Sequence, residues 1–170
     1  MDIAKLVRHV PDFPKAGIDF IDITPLLQDA AVFTYIIDKF AGELQGLDFD
    51  YIACTESRGF IFGAALAYKL NKGFVPVRKK GKLPAASISV RYELEYGYDE
   101  LEIHADAVKA GERVIIIDDL LATGGTIGAS IDLIEKLGGI VQKILFLIEL
   151  KDLGAINKFK DYDVYIMQSL

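Results

Sequence analysis

The sequence predicts an α/β fold with a central parallel β-sheet flanked by helices. Short apolar strands alternate with amphipathic helical segments along most of the chain, and this alternation is typical of right-handed parallel crossovers. The segments 114–117 and 144–148 are continuously apolar, as expected for strands that are covered on both faces. Because 170 residues is the length of one domain, we expect a single domain over residues 1–170.

The first quarter of the chain predicts two helices separated by an irregular stretch. Residues 2–9 carry apolar side chains on one helical face. Two prolines and a glycine predict an irregular segment over 10–17. Thr24 and Pro25 are typical of an N-cap followed by the first helical residue, and apolar residues at helical spacing extend this helix to Leu44.

The middle of the chain predicts two strands with a helix between them, then a loop and a ribbon. Residues 51–55 and 74–78 are short apolar strands on either side of a helix over 60–70. Glycine, proline and small residues predict a long loop over 79–91. Alternating apolar and polar residues over 92–103 predict an antiparallel ribbon outside the main sheet.

The last third predicts three more strands and a helix that ends at a glycine pair. The strands are residues 114–118, 144–148 and 164–167, and the helix covers 127–137.

Composition and charge argue against several classes of protein. With 52% hydrophobic and 26% charged residues, the chain is globular rather than disordered. Its net charge of −6 is opposite to the basic surplus of a general nucleic-acid binder. There is neither a run of 18 apolar residues nor the apolar core of a signal peptide, and the single cysteine, Cys54, permits no internal disulfide. We therefore expect a cytoplasmic protein that binds neither nucleic acid nor membrane.

One basic segment stands out in this acidic chain. Four of the five residues from Arg78 to Lys82 are cationic. Such a cluster can hold a polyanionic small molecule, although an ordinary solvated loop has the same pattern.

The most informative segment is 113–126. A buried strand leads into the acids Asp118 and Asp119, and a tight loop follows, made of Ala122, Thr123, Gly124, Gly125 and Thr126. The carboxyl edge of a parallel strand is where open α/β sheets bind ligands. Glycines let backbone amides approach an anion, and the start of the next helix attracts phosphate. The two carboxylates suit a sugar diol and can lie near Mg²⁺. The residues predict a sugar-phosphate site, with a ligand-free glycine turn as the alternative.

Segment 114–126 resembles the phosphoribosyl pyrophosphate motif of the type I phosphoribosyltransferases, in the form found in the adenine phosphoribosyltransferase family. Further segments resemble that family in the same order along the chain: 13–18, 22–27, 56–60, 75–79, 81–84 and 94–97. The resemblance implies the type I phosphoribosyltransferase fold, with a small N-terminal hood within about residues 1–30 and a flexible lid. It also implies a homodimer.

The resemblance further implies a reaction of adenine with phosphoribosyl pyrophosphate, which gives AMP and pyrophosphate with Mg²⁺ as cofactor. Residues 122–126 are implied to hold the 5′-phosphate, and Asp118 and Asp119 the ribose hydroxyls. The metal is implied to be held mainly by the substrate, with these two carboxylates nearby. Ser57, Arg58 and Gly59 resemble the family's pyrophosphate loop, in which Arg58 binds a phosphate oxygen and takes part in catalysis.

Other site residues are implied in the same way. Arg78 and Lys82 are implied pyrophosphate ligands, which in a dimer can reach a neighbouring subunit's site. Glu95 is implied to protonate or orient the base at N7, against the alternative of an exposed glutamate on a hairpin. Tyr96 is implied to belong to the lid and to close over the substrate.

Adenine recognition is implied to use Asp19 and Ile21 in the hood, with Leu150 on the far side. The family commonly has arginine or lysine where this chain has Ile21, so hypoxanthine, guanine or xanthine remains an alternative base. A non-catalytic regulator that senses phosphoribosyl pyrophosphate is a further alternative. It would need a nucleic-acid-binding region, for which this chain has neither the length nor a basic face.

Several other side chains attract attention, but we interpret them as structural. A lone histidine supplies no metal-ligand set, and a cysteine in an apolar strand is typical of core packing. This interpretation makes His104 a solvated strand residue and His9 a helix residue, with Cys54, Tyr35, Tyr51 and Tyr68 as packing residues.

Overall fold

The computed structural model of the chain describes residues 1–93 and 97–170. Within them the strands are β1 (Arg8–Pro11), β2 (Asp19–Asp22), β3 (Tyr51–Thr55), β4 (Gly73–Lys79), β5 (Ser87–Glu93), β6 (Tyr98–His104), β7 (Arg113–Leu121), β8 (Ile140–Glu149) and β9 (Val164–Ser169). The α-helices are α1 (Thr24–Gln28), α2 (Ala30–Glu43), α3 (Arg58–Leu70) and α4 (Gly125–Lys136), and 3-10 turns cover Ile3–Lys5, Lys151–Leu153 and Ala155–Phe159. None of the helices in these two ranges has the length and apolar character needed to cross a membrane.

The main sheet has seven strands in the order β5-β6-β4-β3-β7-β8-β9. The five strands from β4 to β9 in this order are parallel to one another, which confirms the predicted parallel sheet. Alternate residues of β7 belong to two apolar cores. Ile115 and Ile117 pack with α2 and α3, whereas Val114 and Ile116 pack with α4. Helices therefore cover both faces of the sheet.

The N-terminal residues form a separate small sheet. β1 and β2 pair antiparallel, with Arg8 opposite Asp22, and we call this two-stranded sheet the hood. The predicted helix over 2–9 is therefore wrong, because only Ile3–Lys5 forms a short 3-10 turn. Pairing with a strand further along the chain overrides the local helical spacing.

The helix predicted from Thr24 to Leu44 is two helices. Asp29 lies between α1 and α2, and its carboxylate accepts hydrogen bonds from the backbone N–H groups of Ala31 at 2.9 Å and Val32 at 3.1 Å. This is the N-cap arrangement that satisfies free N–H groups at the start of a helix. The apolar spacing continues through the break, so spacing alone does not reveal it.

The predicted antiparallel ribbon exists, but it is part of the main sheet. β5 pairs with β6 along its length, and β6 pairs with β4 where Glu102 lies opposite Arg78. The prediction that the ribbon lies outside the main sheet is therefore wrong. The loop predicted over 79–91 is also too long, because β5 already begins at Ser87.

Three of the side chains interpreted as structural have different outcomes. Cys54 is buried in the core, as predicted. Tyr68 is 91% exposed, so its assignment to packing is wrong. His104 is half-buried, and its Nε2 atom is buried without a hydrogen-bond partner among the described residues, so the prediction of a solvated histidine is wrong for that atom.

Gly63→Ala is expected to lower the melting temperature, because α3 approaches β3 closely at this residue. A Cβ atom added at Gly63 would overlap the sulfur of Cys54 and lie 3.2 Å from the side chains of Ile117 and Phe74. Such overpacking costs about 1–3 kcal/mol, which lowers Tm by several degrees in a chain of this size. Gly42→Ala is the matched helical control, since among the described residues an added Cβ there meets nothing within 4 Å beyond its chain neighbours and its own helix backbone. Equal Tm shifts in the two thermal melts would contradict this packing.

Candidate active site

The candidate site lies at the carboxyl edge of two neighbouring parallel strands. β3 ends at Thr55 and leads through a turn at 56–57 into α3, and β7 brings its two aspartates to the same edge. The peptide between Glu56 and Ser57 is cis. A cavity of about 370 Å³ opens there, and we call it the edge cavity. It is lined by Phe20, Glu56, Ser57, Arg58, Asp118, Asp119, Leu120 and Thr126.

The aspartate pair lies inside the sheet, not beyond its end. The sequence predicted that the strand ends at Asp118, but β7 continues to Leu121 because β8 pairs with it as far as Glu149. Both carboxyl groups are buried, with Asp118 8% and Asp119 5% exposed. Oδ1 of Asp118 accepts a hydrogen bond from the backbone N–H of Asp119 at 2.9 Å.

Burial sets the electrostatics of this pair. It raises the pKa of Asp118 well above its usual range, and the charge of Asp119 raises it further. Burial also raises the pKa of Asp119, while the guanidinium of Arg58 acts in the opposite direction. A carboxylate pair of this kind is costly to keep ionised until hydroxyl groups or a cation reach it.

Arg58 connects the aspartate pair to the hood. It is the first residue of α3, and its Nε atom lies 2.8 Å from Oδ2 of Asp119. The geometry of this contact is that of an ion pair and not of an aligned hydrogen bond. Nη1 donates to the carbonyl oxygen of Ile21 at 3.1 Å, and the guanidinium lies 5.2 Å from the ring centre of Phe20. One side chain thus joins three parts of the site.

The loop over 122–126 presents the start of α4. Gly124 adopts φ +84°, a left-handed conformation that favours glycine, and the helix begins at Gly125 without a side-chain cap from the described residues. Its first N–H groups can therefore bind an anion. The Nζ atom of Lys158 donates to the carbonyl oxygen of Thr123 at 2.7 Å. This hydrogen bond links the loop to the 3-10 turn Ala155–Phe159.

The basic segment 78–82 is already largely paired. Nε of Arg78 lies 2.6 Å from Oε2 of Glu56, in the turn that follows β3. Nζ of Lys79 lies 2.9 Å from Oδ2 of Asp99, and Nζ of Lys80 lies 2.9 Å from Oε1 of Glu100. The segment is therefore not a free polycation.

A second cavity, of about 590 Å³, lies under the hood, and we call it the hood cavity. The structure brings the three predicted base-binding residues, Asp19, Ile21 and Leu150, around it. His9 lies in β1 and not in the predicted helix, and its Nδ1 atom is 2.6 Å from Oδ2 of Asp19. The remaining lining residues are Gly17, Ile18, Asp152, Leu153 and Leu170.

Two predicted residues cannot be placed, and three others were missed. Glu95 and Tyr96 lie outside the described residues. The sequence did not single out Glu56, Phe20 or Lys158 for the site. Glu56 directly precedes Ser57, a predicted site residue, and this adjacency could have indicated its role. Lys158 contacts a loop 35 residues away, and no pattern near Lys158 in the chain indicates that contact.

Known proteins match this chain along almost its whole length. Residues 26–170 match the phosphoribosyl transferase domain family. Over 163 residues the chain is 60% identical to the adenine phosphoribosyltransferase of Thermoanaerobacter sp. (strain X514), a match that covers 96% of this chain and 94% of that protein. The chain belongs to the adenine phosphoribosyltransferase family. This confirms the resemblance drawn from the 114–126 motif.

Solved structures of the family share the fold. The adenine phosphoribosyltransferase from Thermoanaerobacter pseudethanolicus superposes with a TM-score of 0.96 at 58% identity, covering 99% of this chain and 98% of that one. The enzyme from Saccharomyces cerevisiae, solved with an imino-altritol bisphosphate and adenine, gives a TM-score of 0.92 at 40% identity, with 96% and 95% coverage. The shared fold therefore includes both the hood and the sheet edge.

Proposed function

We propose that this chain transfers the 5-phosphoribosyl group of phosphoribosyl pyrophosphate to adenine, giving AMP and pyrophosphate in purine salvage. Family membership supports the activity. One structural observation supports the assignment of the two cavities: a single strand borders both. Phe20 of β2 lines the edge cavity, while its neighbours Asp19 and Ile21 line the hood cavity. A base in the hood cavity would then lie next to a ribose in the edge cavity.

The edge cavity supplies groups for the phosphoribosyl half of the substrate. Asp118 and Asp119 accept hydrogen bonds from the ribose hydroxyls, and residues 122–126 bind the 5′-phosphate through N–H and hydroxyl groups. In the reaction the bond from C1′ to adenine N9 forms with inversion as the bond from C1′ to pyrophosphate breaks, and the N9 proton is released. Positioning and neutralisation of the leaving charge supply most of the rate enhancement.

Pyrophosphate departs toward residues 57–59, where the turn after β3 leads into α3. Ser57 and Gly59 offer polar groups there, and Arg58, Arg78 and Lys82 offer positive charge. Arg58 and Arg78 are paired with Asp119 and Glu56, so each must exchange a carboxylate for a phosphate oxygen when the substrate binds.

Magnesium is the proposed cofactor. Oxygen ligands suit this ion, and the two buried carboxylates of Asp118 and Asp119 fit it, although the described residues contain no cluster of three or more His, Cys, Asp or Glu side chains able to hold a metal alone. We therefore assign most of its ligands to the substrate. When bound, Mg²⁺ would neutralise part of the charge on the diphosphate.

Three further assignments rest on the family resemblance. Glu95 protonates or orients the base at N7, and Tyr96 closes over the substrate as part of the lid, which keeps water from the activated ribose. The chain acts as one domain and assembles as a homodimer. Tyr68 and Ile61 on α3 are exposed apolar side chains seven residues apart, which is consistent with an interface there.

The hood cavity favours adenine over 6-oxopurines. Its lining residues include Asp19, which already contacts His9, and Asp152, and their carboxylates accept hydrogen bonds and repel a carbonyl oxygen. The exocyclic amine of adenine suits these acceptors, whereas hypoxanthine and xanthine place an oxygen at the same position. The family commonly has arginine or lysine where this chain has Ile21. This replacement removes no hydrogen-bond acceptor from the hood cavity.

A base panel is expected to select adenine. With phosphoribosyl pyrophosphate and Mg²⁺ in excess, we expect kcat/KM for adenine to exceed that for hypoxanthine, guanine and xanthine by at least about 100-fold, since a site left with mispaired polar groups discriminates strongly. The measurement is nucleotide formation from each base at equal concentration. Turnover of another base without turnover of adenine would overturn the assignment of the base and leave the reaction class intact.

A further inference from the structure

One cation of the basic segment differs from the other three. Arg78, Lys79 and Lys80 each pair with a carboxylate. In the described part of the chain, the ammonium group of Lys82 has no carboxylate within 4 Å. Of the four, Lys82 is therefore the one whose charge can meet a new anion without first breaking an ion pair.

The backbone at Lys82, in contrast, is held firmly. Oε1 of Glu102 accepts hydrogen bonds from the backbone N–H groups of Lys82 at 2.9 Å and Leu83 at 2.8 Å. Oε2 of the same carboxylate lies 3.4 Å from the hydroxyl of Ser87, which donates to it. Nη1 of Arg78 donates to the carbonyl oxygen of Lys82 at 3.3 Å. The peptide groups on both sides of the Lys82 side chain are thus fixed.

Glu102 is unusual among the acids of β6. It is only 5% exposed, and its carboxylate faces backbone amides, whereas Asp99 and Glu100 face lysine side chains. Burial acts to raise the pKa of Glu102, but the N–H groups of Leu83, Gly81 and Lys82 outweigh it and hold the pKa below its usual value. The carboxylate is thus ionised at neutral pH and strengthens these hydrogen bonds.

We propose that Glu102 is a positioning residue that fixes the backbone at Lys82, so that the free ammonium group points at the leaving pyrophosphate. The proposal rests on the proposed function and adds to it a residue that touches no substrate. β6 follows directly on the segment that carries Glu95 and Tyr96. The same strand therefore holds the cationic loop and continues from the proposed lid.

Paired variants of Glu102 test the proposal. Glu102→Asp shortens the side chain by one methylene and draws the acceptor oxygens away from the Lys82 and Leu83 N–H groups. We expect the KM for phosphoribosyl pyrophosphate to rise about tenfold, because charge-assisted hydrogen bonds are lost. The KM for adenine is expected to stay unchanged. Glu102→Gln keeps an oxygen where Oε1 lies but loses the charge that strengthens these hydrogen bonds, so we expect a smaller rise in the same KM. Glu100→Gln, which releases Lys80 instead, is the matched control and is expected to change neither KM.

A double-mutant cycle separates positioning from general destabilisation. If Glu102 acts through Lys82, the KM for phosphoribosyl pyrophosphate in Lys82→Ala is not raised further by adding Glu102→Asp. Multiplying effects in the double variant, or a wild-type KM in folded Glu102→Asp, overturns the proposal. If wild type makes AMP but Lys82→Ala leaves this KM unchanged, the positioning role fails while the proposed function stands.

Amide exchange in the wild-type protein provides a test that needs no variant. The N–H of Leu83 donates to Glu102, so we expect its exchange, followed by NMR, to be slowed at least about tenfold relative to a free amide. Exchange at the rate of an unprotected amide would show that the carboxylate does not hold this loop, and would overturn the proposal even if Glu102→Asp did not fold.

Discussion

Arg58→Ala is expected to lower kcat/KM for phosphoribosyl pyrophosphate by about 10–100-fold while the chain stays folded. The guanidinium lies at 2.8 Å from Asp119 and donates to Ile21 at 3.1 Å, so its loss removes the proposed phosphate ligand and the link between the hood and the aspartate pair. A hydrogen bond to a charged group contributes about 1.5–3 kcal/mol, and each 1.4 kcal/mol is about tenfold in rate.

Two other arginine variants make the Arg58 experiment specific. Arg58→Lys keeps the charge but not the planar fork, so we expect an intermediate loss. Arg8→Ala removes an arginine of the hood whose own side chain is 61% exposed in its 3.4 Å ion pair with Asp22, and ion pairs with an exposed partner contribute little. Steady-state kinetics and a thermal melt measure all three. Wild-type kinetics in Arg58→Ala would remove Arg58 from the site.

Asp118→Asn is expected to raise the melting temperature and to abolish most activity. Burial raises the pKa of Asp118 well above its usual range, so at neutral pH folding works against the ionisation that this carboxyl group has in the unfolded chain. The amide keeps the shape and can still accept from the N–H of Asp119. Each 1 kcal/mol regained raises Tm by about 2–4 °C at this chain length. The lost ribose contact lowers kcat/KM about 10–100-fold.

The Tm difference between Asp118→Asn and wild type is expected to change with pH in one direction. Because the pKa is raised in the folded state, the native protein binds more protons than the unfolded chain. Wild type therefore gains stability relative to Asp118→Asn as the pH falls through the raised pKa, and the Tm difference shrinks. A variant that melts below wild type at pH 7, or a difference that grows in acid, would contradict the claim that this carboxylate is a stability cost.

Asp119→Asn serves as the companion variant. Asp119 has an opposing partner in Arg58, so its substitution releases less desolvation cost and leaves the guanidinium without its anion. We expect the same loss of activity without the gain in Tm. An identical rise in Tm for both variants would show that Arg58 does not stabilise the charge on Asp119.

Patterns confined to one element predicted the core of the fold and the place of the site. Strand β3 has the predicted bounds, 51–55. The carboxyl edges of β3 and β7 meet as parallel pairing requires, so Arg58 and Asp119 come together although the chain separates them by sixty residues. Local apolarity and turn chemistry were sufficient here because burial on both faces leaves such strands no alternative.

The remaining features depend on contacts between distant segments. The N-terminal residues pair as β1 because β2 is available, and this overrides their helical spacing. The start of β5 was not predicted, because small polar residues such as Ser87 interrupt the apolar pattern of a strand. This segment is a strand because it pairs with β6. The basic segment has the pattern of an anion site or a solvated loop, whereas in the structure Glu56, Asp99 and Glu100 from other elements pair with three of its four cations. No local pattern contains those pairings.

The most direct test of the proposed function is the product balance of the purified chain. Adenine and phosphoribosyl pyrophosphate are mixed with Mg²⁺, and AMP and pyrophosphate are measured together over time. We predict that both products form at the same rate and in equal amounts. Consumption of phosphoribosyl pyrophosphate without AMP, or no consumption by folded protein, would contradict phosphoribosyl transfer to adenine at this site.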